Sequence, residues 1–207
     1  MAEQTWPGEA IALDTYLQPS AVIDWTHPAV LAQAHQVAQG QQSVVAIAQA
    51  CFEWVRDRIY HSVDYQRNPV TWRASDVLQQ QTGYCFAKSH LLAALLRANH
   101  IPAGFCYQRL SLNDDGAPYS LHGFNAVYLP EVGWYRVDAR GNKAGINAQF
   151  TPPQEQLAYA ARLPGEADFA PIWAEPLPAV VTALQTYPTW DALLSHLPDQ
   201  SGPGAAG

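Results

Sequence analysis

The sequence predicts an α+β fold in which an antiparallel β-sheet packs against one strongly apolar helix. Three observations predict it. Leu91, Leu92, Leu95 and Leu96 follow Cys85 at helical spacing. Residues 121–129 and 132–138 read as two strands around a Pro130-Glu131 turn. Residues 103–112 read as a further strand, joined to that hairpin through the turn Asn113-Asp114-Asp115-Gly116. One helix followed by three neighbouring strands gives two packed layers.

Composition bounds the rest. A chain of 207 residues, 48% of them hydrophobic, has the material for one full-sized core. We expect a single domain over 1–198, with a core at about 43–145 and a C-terminal helical wrap over 146–198; the small, Gly-rich end 199–207 reads as a disordered tail. The formal net charge of −7 argues against nucleic acid and against an anionic membrane surface as partners. None of the three cysteines stands in a CxxC pair, so neither a disulfide framework nor a zinc knuckle is expected. No His or Cys pair has ligand spacing, and no metal or cofactor is expected. An odd cysteine count suits a reducing compartment. Met1 to Asp14 has no basic segment before an apolar run, and no stretch is long and apolar enough to span a membrane. A cytoplasmic location is the expectation.

The elements follow in order. Ile11, Leu13 and Tyr16 suit an edge strand or the surface of the core. Thr26 is placed to cap a helix with Pro28 in its first turn, running to Gln39 and ended by Gly40. His27 and His35 on it read as surface residues. Ser43 opens a stronger helix, with Val44, Ile47, Cys51, Trp54, Val55, Arg58 and Ile59 at three-four spacing. Cys51 on that apolar stripe reads as core. Tyr60 to Tyr65 leaves the helix irregularly, and Ser75 or Asp76 is placed to cap a short helical turn. The helix after Cys85 stops at Asn99, and Pro102 forbids its continuation. Cys106, in the next strand, reads as structural. Beyond Gly145, Thr151-Pro152-Pro153 opens a loop and Gln154 to Ala161 suits a short helix. Pro171 to Pro176 reads as extended, and Pro178–Gln185 and Thr189–Leu197 as two helices that wrap the core and line a cleft.

The chemistry centres on Cys85. At a helix N-terminus the unpaired backbone N–H groups and the macrodipole favour a thiolate, the nucleophilic form of cysteine. A hairpin loop at Leu129-Pro130-Glu131, with Tyr128 paired to Val132, sets His122 directly opposite Asp138 on one face. An imidazole held by a carboxylate beside a thiol has the parts of a Cys-His-Asp triad. Arg136, two residues along the strand, is placed to pair with Asp138. Asn142, in a Gly-flanked turn past the strand end, is the rival third member; Asp138 is favoured.

Four stretches carry a resemblance: Gly83-Tyr84-Cys85; Leu95-Leu96-Arg97-Ala98-Asn99-His100-Ile101-Pro102-Ala103; His122; and Gly133-Trp134-Tyr135-Arg136-Val137-Asp138. Together they resemble the transglutaminase-like superfamily, whose core is papain-like and whose members carry "LLRAxGIPAR", "HAWVEVYL" and "GWxxVDPT" runs. Three departures stand out. His100 takes the place of the preferred Gly, Gly123-Phe124-Asn125 replaces Ala-Trp-Val, and Ala139-Arg140-Gly141-Asn142 replaces Pro-Thr. The resemblance implies thiol-dependent acyl transfer at an amide or related carbonyl through Cys85, His122 and Asp138. Transfer to water makes an amidase or protease, and transfer to an amine a transamidase; hydrolysis is favoured. The implied partner is a peptide, a protein or a small amide substrate. The alternative is a non-catalytic protein- or peptide-binding module on the same fold. Papain-like enzymes place a glutamine six residues before the cysteine as an oxyanion donor, which Gln79 resembles by spacing. Superfamily members also use an aromatic donor, which makes Trp72 and Tyr84 rivals.

Overall fold

The computed structural model describes residues 12–202; Ile11 and residues 203–207 of the expected tail lie outside them. Leu13–Leu17 form a turn of 3₁₀ helix rather than an edge strand, and Tyr16 on it is buried. Helix α1 (Pro28–Ala38) keeps Pro28 in its first turn, but its cap is His27 and not Thr26: His27 Nδ1 accepts from the Ala29 N–H at 3.2 Å. Helix α2 (Val44–Arg58) begins as the sequence predicts, with Ser43 Oγ accepting from the Ala46 N–H. Its stripe buries Cys51, Phe52 and Val55.

Strand β1 (Tyr60–His61), helix α3 (Ala74–Gln80) and strand β2 (Thr82–Gly83) form a small platform before the cysteine. β1 and β2 pair in parallel, with His61 beside Gly83. Ser75 and Asp76 lie inside α3 rather than capping it. Ser75 instead ties α3 to the chain before α1, its N–H and Oγ both donating to the Asp24 carboxylate.

Helix α4 (Cys85–Ala98) is the centre of the core, and all fourteen of its residues are buried. It has the strand layer on one side and α1, α2 and α3 around the rest. A helix buried on every side has nowhere to send a long polar side chain except to backbone carbonyls. Arg97 donates to the carbonyls of Ala103, Gln18 and Ala174. It thereby ties the chain after the 3₁₀ turn and the segment before α5 to the C-terminal end of α4. The helix closes with the Ile101 N–H bonding back to the Leu96 carbonyl and with His100 in the left-handed region at φ 59°.

Strands β3 (Ala103–Ser111), β4 (Tyr119–Leu129) and β5 (Gly133–Val137) form the expected antiparallel layer. Gly123 is the position where β4 comes against α4: a Cβ there would stand 2.7 Å from the Phe86 ring. The β4–β5 pairing differs by one loop position from expectation. Leu129 pairs with Gly133, so the loop is Pro130-Glu131-Val132. Glu131 and Gly133 carry the positive φ values the turn needs, 67° and 81°, which moves the loop one residue on.

After β5 the predicted helix at Gln154 to Ala161 is absent. In its place β6 (Gln149–Thr151) and β7 (Gln154–Gln156) make a tight hairpin. The polar run Gln154-Glu155-Gln156 is exposed and has no apolar stripe to bury, so hairpin pairing satisfies its backbone instead. Strand β8 (Ala167–Asp168) joins the main sheet, whose order is β5-β4-β3-β8. Helices α5 (Pro178–Thr186) and α6 (Trp190–Leu194) follow, the second shorter than expected. No helix among the described residues is long and apolar enough to cross a membrane.

Candidate active site

Cys85 is the first residue of α4, and no side chain caps that terminus. The helix therefore presents its first backbone N–H groups and its positive dipole end to the sulfur. His122 comes from the middle of β4, where it is paired in register with Gln108 of β3. Asp138 stands one residue past β5 and is buried. His122 Nε2 lies 2.8 Å from Asp138 Oδ2. The shifted hairpin keeps this pair. Moving the loop by one residue changes the partner by two, so Asp138 remains on the His122 face, diagonal to it rather than directly opposite.

Three donors converge on Asp138. Besides the imidazole, the Ala158 N–H reaches Oδ2 at 3.1 Å and the Arg140 N–H reaches Oδ1 at 3.0 Å. Burial alone would raise the carboxyl, but the His122 charge and these bonds hold it below the usual carboxylate range. For His122 burial would lower the imidazole; Asp138, by charge and hydrogen bond, and Cys85 in the same two ways outweigh it and push the imidazole up to about 10. The ring is further fixed by Phe124, stacked 5.8 Å away, and by the edge of Tyr159 at 4.9 Å.

Cys85 and His122 line one cavity of about 750 Å³ with Tyr84, Phe86 and Tyr159. Leu110, Leu112, Leu121, Leu163, Leu194 and Leu197 supply apolar wall. One end carries charge. Asp64 is held to about 2: its burial is outweighed by the Arg140 guanidinium, at 2.5 and 3.0 Å, and by Lys143 at 2.7 Å. The other two cysteines are elsewhere and inert in kind. Cys51 and Cys106 are fully buried, and that burial pushes both thiols up to about 12.

Other expected contacts are not made. Arg136 turns away from Asp138 and clasps Glu155 of β7, with Asp168 at 3.4 Å. Asn142 bonds both backbone groups of Ala148 and closes its own turn. Gln79 is exposed on α3 and does not line the cavity, and neither does Trp72. Tyr84 lines it, but its hydroxyl donates to the Trp190 carbonyl. Sequence reasoning missed Ala158, Tyr159, Arg140 and His61. Ala158 acts through its backbone, which leaves no side-chain signal, and Arg140 through both its backbone and its ion pair with Asp64. Nor did the spacing reveal Lys88, one turn on from Cys85. It is fully buried, its burial lowers it to about 7, and it donates to the Arg56 and Ile59 carbonyls at the end of α2.

A thiol at a helix N-terminus beside a carboxylate-held imidazole, on a helix packed under an antiparallel sheet, defines a papain-like thiol fold. The family model described as the transglutaminase-like superfamily matches residues 32–139, and the chain belongs to that family. Among solved structures it is similar to a candidate cysteine protease from Cytophaga hutchinsonii, with 21% identity and a TM-score of 0.51 over 62% of this chain and 42% of that one. It is also similar to the periplasmic domain of TgpA from Pseudomonas aeruginosa, with 22% identity and a TM-score of 0.46 over 63% and 48% of the two chains. The chain thus spans less than half the length of either structure. No curated protein matches it.

Proposed function

We propose that this protein carries out thiol-dependent acyl transfer at an amide or related carbonyl, with Cys85 as nucleophile, His122 as acid and base, and Asp138 as the group that orients His122. The observation that carries the reading is the His122–Asp138 contact of 2.8 Å in a cavity that also holds the Cys85 thiol. In this mechanism the sulfur attacks the carbonyl carbon and the C=O electron pair moves onto oxygen. Collapse breaks the bond to the leaving amine, which departs with a proton from His122. Water or an amine then takes the acyl group from sulfur. Water is the favoured acceptor in this reading, and hydrolysis the preferred outcome. The leucines of the wall suit a peptide, protein or small amide whose acyl side bears an apolar group.

The test is a screen of amide, peptide and ester substrates against the parent and Cys85→Ala. Expected is turnover by the parent that Cys85→Ala abolishes. Because His122 is pushed up to about 10, its proton for the leaving group is lost, and turnover falls, as pH rises through that value. A parent that binds peptides but turns none over, with Cys85 freely alkylated, supports the binding module instead.

A further inference from the structure

The acyl-transfer reading leaves one role unfilled. The attack puts negative charge on the carbonyl oxygen, and a preorganised side-chain donor beside the cysteine N–H is the usual means of holding it. The three residues the sequence offers do not fill the role. Gln79 and Trp72 do not line the cleft, and the Tyr84 hydroxyl is committed to Trp190.

His61 does line it. It is 8% exposed, and its Nδ1 is buried with no hydrogen-bond partner among the described residues. Asp64 Oδ2 is 3.8 Å from that nitrogen, beyond hydrogen-bond reach, and the Asp64 oxygens already serve Arg140 and Lys143. A polar group this buried ordinarily has a partner, so one without calls for an explanation. Its position supplies one. β1 pairs with β2 so that His61 lies beside Gly83, two residues before Cys85, and the Ser62 N–H locks that pairing on the Gly83 carbonyl at 3.0 Å. The ring centroid is 5.8 Å from that of Tyr84. His61 thus lines the cleft from the platform, whereas His122 lines it from the main sheet.

We propose that the His61 imidazole N–H is the side-chain oxyanion donor of this site, acting with the Cys85 backbone N–H on the carbonyl oxygen of an amide or ester substrate; the assignment rests on the acyl-transfer reading above. The imidazole is neutral at physiological pH: burial, then the Arg140 charge, hold it well below its ordinary value, against the pull of Asp64. A neutral ring carries one N–H, and no acceptor among the described residues fixes its tautomer. The proton therefore settles on whichever nitrogen faces the developing charge. As Cys85 Sγ bonds the carbonyl carbon, the π pair moves to oxygen and the His61 N–H donates to it. When the pair returns and the leaving group departs with the His122 proton, that bond weakens again.

The experiment compares two reactions of Cys85 in the parent, His61→Phe and His61→Gln. Acylation by 4-nitrophenyl acetate creates an oxyanion, and alkylation by iodoacetamide does not. His61→Phe keeps a ring against Tyr84 and removes the donor, and it should slow acylation about 10²-fold. His61→Gln keeps a donor and should recover part of that loss. Alkylation should be unchanged in both. Acylation at parental rates in both variants overturns the assignment, as does alkylation that falls in step with acylation. A parent that is alkylated but never acylated overturns the acyl-transfer reading, and the role of His61 with it. If His61→Phe does not fold, the parent bearing an N-acetyl-phenylalaninal thiohemiacetal decides. A shift of the His61 ring ¹⁵N resonances supports the contact, and unmoved resonances refute it.

Discussion

Asp138 accepts from three donors, and only one of them is the side chain that the sequence pointed to. Its replacement by Asn keeps the shape but removes the charge that opposes the imidazolium. Breaking a buried pair of this kind costs about 3–5 kcal/mol. The sign of the pH dependence follows from the two shifts. His122 is raised above 6.5, so its contribution is complete below 6.5 and is lost as pH rises through about 10. Asp138 is lowered below 3.8, so its contribution is complete above 3.8 and is lost as pH falls through the folded value. Denaturant melts should therefore separate the parent from Asp138→Asn most widely between pH 3.8 and 6.5. Iodoacetamide labelling of Cys85 near neutral pH should slow in Asp138→Asn and not in Asn142→Ala, since the Asn142 side chain bonds the backbone of Ala148. The opposite pattern would make Asn142 the third member. His100 makes a second argument at this scale. It occupies the left-handed position that ends α4, which explains why the family prefers Gly there. His100→Gly should raise stability by about 0.5–1 kcal/mol, the strain relieved outweighing the extra freedom of the unfolded chain. An unchanged or lower melting midpoint would sink that explanation.

At the scale of elements, β4 meets α4 through one missing side chain. Phe86 follows the cysteine and is almost fully buried, so its ring cannot swing away from a Cβ at position 123. Gly123→Ala should cost about 1–3 kcal/mol by overpacking, and it should also disturb labelling of Cys85, because Phe86 and His122 are the immediate neighbours of the clash. Equal stability with undisturbed labelling would mean that the two layers are looser than this packing implies. Most elements were legible in advance because each carries its own signal: leucines at helical spacing in α4, alternation around a turn in β4 and β5, Ser43 before α2. The hairpin register was legible in parity and not in detail, since positive-φ residues at Glu131 and Gly133 chose the loop. β6 and β7 were not legible. Polar residues forming a short exposed hairpin have no hydrophobic period, and only their pairing with each other defines them. For the same reason His61 escaped notice: its two-residue strand exists only through its partner Thr82-Gly83.

Across the whole molecule, the C-terminal third completes what the core begins. Ile172 and Trp173 lie against Gly104, where a Cβ would stand 2.5 Å from Ile172 and 2.9 Å from the Trp173 carbonyl. Trp173 also bridges to Phe105. Ala158 and Tyr159 hold the His122–Asp138 pair, and Leu194 and Leu197 wall the cleft. Where the sequence suggested helices along the cleft, coil between Ala158 and Glu166 lines it together with Leu194 of α6. Among the described residues, the Tyr84 hydroxyl is the one hydrogen bond from the Thr82–Tyr84 segment to α6. Tyr84→Phe should cost about 1 kcal/mol and speed the reaction of Cys85 with bulky maleimides, as α6 and its wall residue Leu194 loosen; equal maleimide rates would show that this bond does not close the cleft. The same bond sets an order in time. A ribosome delivers Cys85, His122 and Asp138 well before Trp190, so a growing chain carries its thiol and its imidazole while one side of their enclosure has yet to be made. The hazard of a premature encounter falls in that interval, and it ends when the residue that receives the Tyr84 hydroxyl emerges.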